Sequence, residues 1–542
     1  MSLLRPLPSS FALAALVAAL SSGSAHAQPA APALPAPSAV APAKPLSAAQ
    51  IDALVARTMQ AFDVPGIAVA VIKDGQTVVA KGYGVRGLND PAPMDADTLA
   101  AIGSNTKAFT AFALGMLVDE HKLTWDSKVT DFIPEFKLYN PYVTDEFTIR
   151  DLLTHRSGLG LGAGDLMFWP GRTDFTTGDV IHNLRYLKQV SGFRTRYDYD
   201  NLLYVVAGEV VKRASGMPFE DFIERRILAP LGMGRSAASL QRLKDKSNIV
   251  TPHASVDGRV RPVAWQPNEV VNAAGGIYSS VNDMAKWVGM LLAQGKFDPV
   301  GRRLFSEAVL QEAWRPQTPI GMSGGDYRIH FAAYGLGWFL SDAAGYKVVE
   351  HTGGVLGMVS QVLLVPELQL GIVVLTNQEQ GAALGAIVDS IKDGYFGLPA
   401  TDRVRQIADR VAARKAADDK QTAAIWAAID AARSAGGKRE AELTHYAGTY
   451  RDRWFGDVTV ALDGGALRLR AQRSPALDGT LSFYKGTTFI VKWKDRSLNA
   501  DAFVTFAFGP DGVPSGFTMK AVSPQTDFSY DFHDLDLRRV AR

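Results

Sequence analysis

The chain has 542 residues, too many for one ordinary core, so at least two domains are expected. Charge is nearly balanced, with 57 Lys and Arg against 55 Asp and Glu and no dense basic run, which argues against a nucleic-acid partner. There is no cysteine, so disulfides, a thiol nucleophile, thiolate metal sites and lipidated cysteine anchors are excluded.

The N-terminus places Arg5 ahead of an apolar run, Phe11 to Leu20, and then Ala25-His26-Ala27 before Gln28, the layout of a cleavable secretory signal over residues 1–27. Ten apolar residues are too few to cross a bilayer, so a periplasmic or secreted protein cut after Ala27 is expected. A Pro/Ala spacer fills residues 28–45. Ser47 opens an amphipathic helix to about Gln60, ended by Val64-Pro-Gly. Two strands, Ile67 to Ile72 and Gln76 to Tyr83, flank the hairpin signal Lys73-Asp74-Gly75.

Next comes Gly103-Ser104-Asn105-Thr106-Lys107, continuing into a segment apolar at almost every position to Val118, as in a helix buried on all faces. Ser104 and Lys107, three apart, share a face of its first turn, where free N–H groups and the helix dipole favour developing negative charge. Serine is also a common helix N-cap, so this pair needs partners before it counts as a nucleophile and its base. A second Ser-x-x-Lys, Ser482 to Lys485, lies in an alternating β-branched and aromatic run, where i and i+3 point to opposite faces.

A helix at Thr148 to Leu153 runs into His155, a candidate base and more readily a satisfied structural histidine. A glycine-rich loop follows to about Gly178, with Phe168 and Trp169 as pocket lining or core. Tyr199-Asp200-Asn201 is extended or turn-like, which lets positions 199 and 201 face the same way ahead of the apolar helix from Leu202. Tyr199 is a second candidate base: bringing a phenol from about 10 to near 7 takes roughly 4 kcal/mol, which adjacent cations in a dry site supply. Asn201 offers an amide to orient Lys107 and hold a substrate carbonyl, or else simply caps the helix. Asn272 to Ser280 leads into a helix from Val281 to Leu292. Gly321-Met-Ser323-Gly-Gly325 matches a nucleophile elbow but lacks the strand before and the helix after that such an elbow requires.

Four strands close this domain: Tyr334 to Leu340, Tyr346 to His351, Ser360 to Val365 and Leu370 to Thr376. Short turns between them imply an antiparallel sheet on which the helical middle packs, an α+β domain spanning residues 46–400. His351-Thr352-Gly353-Gly354 lets substrate approach backbone N–H groups, as an oxyanion site requires, although the same residues suit an ordinary glycine turn. Residues 401–442 read as a solvated helical connector. Residues 443–540 change to short strands with turns between them, a small antiparallel barrel expected to pack on the first domain or to hold a ligand. No His-Glu-x-x-His, phosphate loop or dinucleotide fingerprint is present, and no metal or cofactor is expected.

Together, Ser-x-x-Lys at 104, Tyr-x-Asn at 199 and His-Thr-Gly at 351 resemble the penicillin-recognising serine hydrolases: class C β-lactamases, D-Ala-D-Ala carboxypeptidases, D-aminopeptidases and related esterases. Leu152 to Leu159 and Ala273 to Ser279 are similar to signature segments of that family, and the C-terminal barrel looks like its lipocalin-like appendage. The resemblance implies a β-lactamase/transpeptidase-like sheet flanked by helices and an acyl-enzyme on Ser104, with Lys107 and Tyr199 shuttling the proton. It also implies that Asn201 positions substrate, that the N–H groups of Ser104 and Gly354 form the oxyanion hole, and that His351 sits at the pocket edge. β-Lactamases usually carry lysine where this chain has His351, so a peptidase or esterase acting on small peptides, amides or esters with D-residues is expected first. A β-lactamase comes second, and a cell-wall- or penicillin-binding module without turnover is the alternative of another class.

Overall fold

The computed structural model describes residues 43–322, 327–435 and 441–541. The apolar N-terminal segment, the spacer up to residue 42 and Ser323 to Gly325 of the elbow-like sequence lie outside them.

A nine-stranded antiparallel sheet organises the first part of the chain. Its order across the sheet is Asp90–Pro93, Gln76–Gly87, Gly66–Lys73, Leu370–Thr376, Met358–Val365, Tyr346–Val355, Phe339–Ala343, Ala332–Tyr334 and Thr318–Pro319. The hairpin between the first two long strands turns through Asp74 and Gly75, both at positive φ, the conformation that a two-residue connection between twisted strands needs. Tyr334 to Leu340, read from sequence as one strand, is instead a hairpin: Ala332–Tyr334 pairs with Phe339–Ala343 around Gly335 to Trp338. Gly337 is the reason. Its φ is +79°, and a Cβ there would lie 2.9 Å from the carbonyl oxygen of Lys107, so the turn is pressed against the central helix where a side chain has no room.

Alternation along the strands sorts the sheet into two faces. Ile67, Val69, Val71, Ile372 and Val374 meet the helices Ala48–Phe62 and Gly381–Tyr395. Ala68, Ala70, Ile72, Val373 and Leu375 meet the helical middle of the chain. At the centre of that second layer lies the helix Thr106–Asp119, buried from Thr106 to Leu117. It begins later than the sequence suggests: Gly103–Asn105 forms a 3-10 turn, so Ser104 stands on a tighter approach to the helix and only Lys107 is in its first α-turn.

Arg403–Ser434 forms one helix of 32 residues, mostly exposed as expected of a connector. It packs at its start on Gly381–Tyr395 and places Ile429 against Ile490 and Val522 of the following domain. That domain is a closed eight-stranded antiparallel barrel from Gly448–Asp452 to Leu537–Arg539. Its interior is filled by aromatic rings, Tyr446, Tyr450, Phe489 and Phe506 among them at 4.9–5.8 Å between centroids. Ser482 and Lys485 sit on the strand Asp478–Lys485, whose alternation is broken by a bulge after Phe483, and the Lys485 ammonium lies over the Tyr484 ring rather than on Ser482.

The barrel docks on the first domain through Asn183, which donates to the Trp454 carbonyl at 2.8 Å, and through Arg473, paired with Asp174 and Asp179 and lying 3.9 Å over the Phe175 ring. The connection between its last two strands, residues 522–536, reaches into the first domain.

Candidate active site

Ser104, Lys107, Tyr199, Asn201 and His351, about 250 residues apart in the chain, converge on one cleft. The turn bearing Ser104 is clamped from two sides by glycines. Gly103 has φ +51°, and a Cβ on it would lie 2.6 Å from the Gly354 nitrogen; a Cβ on Gly353 would lie 1.9 Å from the Ile102 carbonyl oxygen. Strand and turn therefore touch backbone to backbone. Ser360 locks the contact, donating to the Ile102 carbonyl at 2.7 Å and accepting from Asn105 Nδ2 at 2.8 Å. Gly354 and Thr352 are exposed to the cleft, whereas Gly353 is buried under the turn and serves the packing.

Lys107 is fully buried, and its Nζ has three contacts: Asn201 Oδ1 at 2.7 Å, the Ala274 carbonyl at 3.0 Å and Ser104 Oγ at 3.0 Å. Carbonyl oxygens only accept, so two N–H bonds of the amine are committed to Asn201 and Ala274. When the amine is neutral, its lone pair is left facing the Ser104 hydroxyl. Burial pulls Lys107 down to about 7, against the opposing pull of Asp165 and Asp200, so the neutral form is accessible near neutrality.

Tyr199 lies on the other side, its ring 4.7 Å from Lys107 Nζ and in hydrogen-bond reach of Ser104. Burial raises its phenol, partly countered by Ser104, so no cation brings it toward 7 and it holds its proton at neutral pH. His155 is a buried packing histidine, only half satisfied: its ring packs on Tyr199 at 4.2 Å and its Nδ1 accepts from the Asp200 N–H at 3.0 Å, while its Nε2 has no hydrogen-bond partner among the described residues. Asn201 does not cap the helix Leu202–Ser215 with its side chain; Asp200 Oδ1 accepts from the Leu203 N–H instead. The Asn201 amide is thereby free to bridge, with Oδ1 on Lys107 and Nδ2 donating to Asp165 Oδ2 at 2.9 Å.

His351 is 1% exposed. Its Nδ1 donates to the Thr352 carbonyl at 2.5 Å and its Nε2 accepts from Tyr334 Oη at 3.0 Å. Burial, with Lys107 nearby, pushes it down to about 3, so it is neutral at any physiological pH.

The cleft holds about 710 Å³. Aromatic walls come from Phe168, Trp169, Trp265, Tyr278 and Phe339, and Glu269, Glu379 and Asp527 line it, whereas no lysine or arginine does among the described residues. Among those residues no group of three His, Asp or Glu side chains is placed to hold a metal. Sequence reasoning missed Asp165, Ala274, Tyr334 and Ser360; Ala274 alone carried a signal, lying inside the quoted Ala273 to Ser279 segment.

Comparison with known proteins gives the family and the fold. The β-lactamase family model matches residues 51–390. The chain belongs to the β-lactamase family. A second model, a domain of unknown function designated DUF3471, matches residues 432–539 and so takes in the barrel. Among the relatives of this β-lactamase-family chain is the unguisins hydrolase ungD of Aspergillus violaceofuscus, 28% identical over 491 residues and covering 85% of both chains. Protein flp of Staphylococcus aureus is 25% identical over 332 residues, 60% of this chain and 62% of its own length. The octameric penicillin-binding protein homologue from Pyrococcus abyssi shares the fold, with a TM-score of 0.59 at 23% identity, over 91% of this chain and 100% of that one. The fold and the family are thus those of the penicillin-recognising serine hydrolases.

Proposed function

We propose that the protein is an exported serine hydrolase that works through an acyl-enzyme on Ser104 and cleaves small peptides, amides or esters, including those built from D-residues, in preference to β-lactams. The observation that carries the reading is the pair of carbonyl acceptors on Lys107, which leaves the amine lone pair only the Ser104 hydroxyl to face.

In this mechanism Lys107 takes the Ser104 proton as Oγ attacks the substrate carbonyl, and the N–H groups of Ser104 and Gly354 receive the oxyanion. The tetrahedral intermediate collapses with breakage of the C–N or C–O bond. Tyr199 gives its proton to the leaving atom and regains one from Lys107. Water then attacks the acyl carbonyl by the same route in reverse, releasing the acid and free Ser104. Asn201 holds the substrate amide with the N–H that Asp165 leaves unused.

The preference over β-lactams rests on charge. A β-lactam carries a carboxylate beside its scissile amide. Here position 351 is a neutral histidine already bonded to Tyr334 and Thr352, and the cleft is lined by carboxylates. Such walls favour neutral or amine-bearing substrates. The relative named for hydrolysing unguisins fits the same class of activity, and the signal-like N-terminus supports export.

Intact mass after incubation with a fluorophosphonate and, separately, a penicillin, on wild type and Ser104→Ala, tests the reading. A fluorophosphonate adduct on wild type alone is expected, with slow or no penicillin turnover. A penicillin adduct that forms and decays with product release would move β-lactamase activity to first place. Failure of folded wild type to form either adduct would leave a binding module without turnover.

A further inference from the structure

The segment of the barrel between its last two strands enters the first domain beside the catalytic residues. Ser529, 6% exposed, donates its hydroxyl to Asp165 Oδ2 at 2.8 Å, the same oxygen that receives Asn201 Nδ2. Asp531, fully buried, accepts the Gly164 and Leu166 N–H groups at 2.6 and 3.1 Å and so holds the backbone on either side of Asp165. Phe528 meets the Tyr199 ring edge-on at 6.0 Å, and Gly162, at φ +69°, admits no Cβ because Phe528 lies 2.7 Å from where it would stand. Phe528 and Tyr530 continue into the cleft as wall.

These contacts form a line: Ser529 Oγ to Asp165, Asp165 to Asn201, Asn201 to Lys107, Lys107 to Ser104. Asp165 has a single external anchor for its bridging oxygen, Ser529, since its other oxygen has no partner. Without Asp165 only the Lys107 N–H holds the Asn201 amide in this orientation, and once the amine is neutral a flipped amide would donate to its lone pair instead, abolishing one of the two acceptors that aim the amine.

We infer that the C-terminal barrel is a working part of the catalytic centre, and that Ser529 is a positioning residue which, through Asp165 and Asn201, aims the Lys107 lone pair at Ser104. The inference rests on the hydrolase reading above. It gives the barrel a task in catalysis, separate from packing on the first domain or holding a ligand within its own aromatic-filled interior.

The test uses the full chain and the rate of fluorophosphonate labelling of Ser104, which needs no knowledge of the substrate. Ser529→Ala is expected to lower the maximal labelling rate about tenfold, the size of one buried hydrogen bond, with the half-saturating probe concentration unchanged. Ser529→Thr, which keeps the hydroxyl, restores most of that rate. If Ser529 acts through Asp165, adding Ser529→Ala to Asp165→Ala costs nothing further. The pH profile gives a second readout. Lys107 is faced by Asp165, Asp200, Tyr199, Tyr204, His155 and His351. Burial already pushes the Asp165 carboxyl well above the ordinary carboxylate range, so Ser529→Ala is expected to leave the rising limb set by Lys107 in place, whereas a general loosening that admits water would move it up. Ser515→Ala, exposed on the far part of the same barrel, controls for general loosening, and thermal unfolding is followed for every variant.

A wild-type rate in Ser529→Ala would overturn the inference. So would equal slowing by Ala and Thr with losses that add to Asp165→Ala, since that is the pattern of impaired fit. A folded wild type that never labels would overturn the hydrolase reading and this inference with it, an outcome distinct from a reactive wild type with an equally reactive Ser529→Ala.

Discussion

The orientation of one lone pair decides whether Lys107 can act as a base. With Asn201 Oδ1 and the Ala274 carbonyl each taking an N–H, deprotonation leaves the nitrogen lone pair on the Ser104 side, and burial makes that deprotonation accessible near pH 7. Acylation should therefore rise with pH through about 7, because the competent form is the unprotonated one. A profile that falls over that range would remove Lys107 as base. Replacing Lys107 by Ala should cut acylation by roughly 10²–10⁴, the usual contribution of a general base, while leaving the fold intact by circular dichroism. Tyr199 has a different duty, and leaving-group dependence exposes it. A phenol that stays protonated is needed where the leaving atom is a basic amide nitrogen and hardly at all where it is a nitrophenolate. Tyr199→Phe should accordingly lose about 10²-fold or more on an anilide or amide and only a few-fold on the matching nitrophenyl ester. Equal losses on both would assign Tyr199 to the proton of Ser104 rather than to the leaving group.

Strand Tyr346–Val355 and the Ser104 turn meet with no side chain between them, which makes the two adjacent glycines of the strand unequal. A methyl at Gly353 would fall 1.9 Å from the Ile102 carbonyl oxygen, backbone that cannot yield without moving the nucleophile turn. Gly353→Ala should cost about 1–3 kcal/mol of stability and most of the acylation rate. At Gly354 the nearest atom to a Cβ is 3.9 Å away, and alanine keeps the N–H, so Gly354→Ala should fold as wild type and act by narrowing the cleft mouth, raising KM. Chemical denaturation of the two variants side by side checks the contrast. Local patterns made much of this legible: Lys73-Asp74-Gly75 marked its hairpin, the apolar run after Ser104 marked a buried helix, and three short motifs marked the cleft. What the sequence hid were positions whose meaning comes only from distant partners. Asp165 sits in a glycine-rich loop without periodicity, and its partner Ser529 lies 364 residues on in a connection equally without pattern. The split of Tyr334 to Leu340 into a hairpin was hidden for the same reason, since the helix backbone that forces Gly337 into its turn is over 200 residues earlier.

At the scale of the whole molecule, the first domain and the barrel share one hydrophobic cluster: the rings of Phe168 and Phe175 continue into Trp454, Phe455 and the barrel interior. Exposing the shared cluster penalises either part unfolding alone, so calorimetry on the full chain should give a single cooperative transition. Two resolved transitions would show that the shared cluster does not couple them. Arg473 tests the seam more finely. It pairs with Asp174 and Asp179 and covers Phe175, and although burial works the other way, Arg473 and Thr176 hold the Asp179 carboxyl down to about 2. A carboxyl depressed on folding adds stability above its ordinary value of 3.8 and loses it as pH falls through about 2. Arg473→Ala should therefore lower the transition at pH 7 modestly, by no more than about 1 kcal/mol for so exposed a pair, and the gap between variant and wild type should close as the pH drops below 3.8 toward 2. The transition should move without splitting, because the ring contacts beneath the ion pair are unchanged. A gap that persists undiminished at pH 2 would assign the arginine's contribution to its cover of Phe175, with the carboxylates adding nothing.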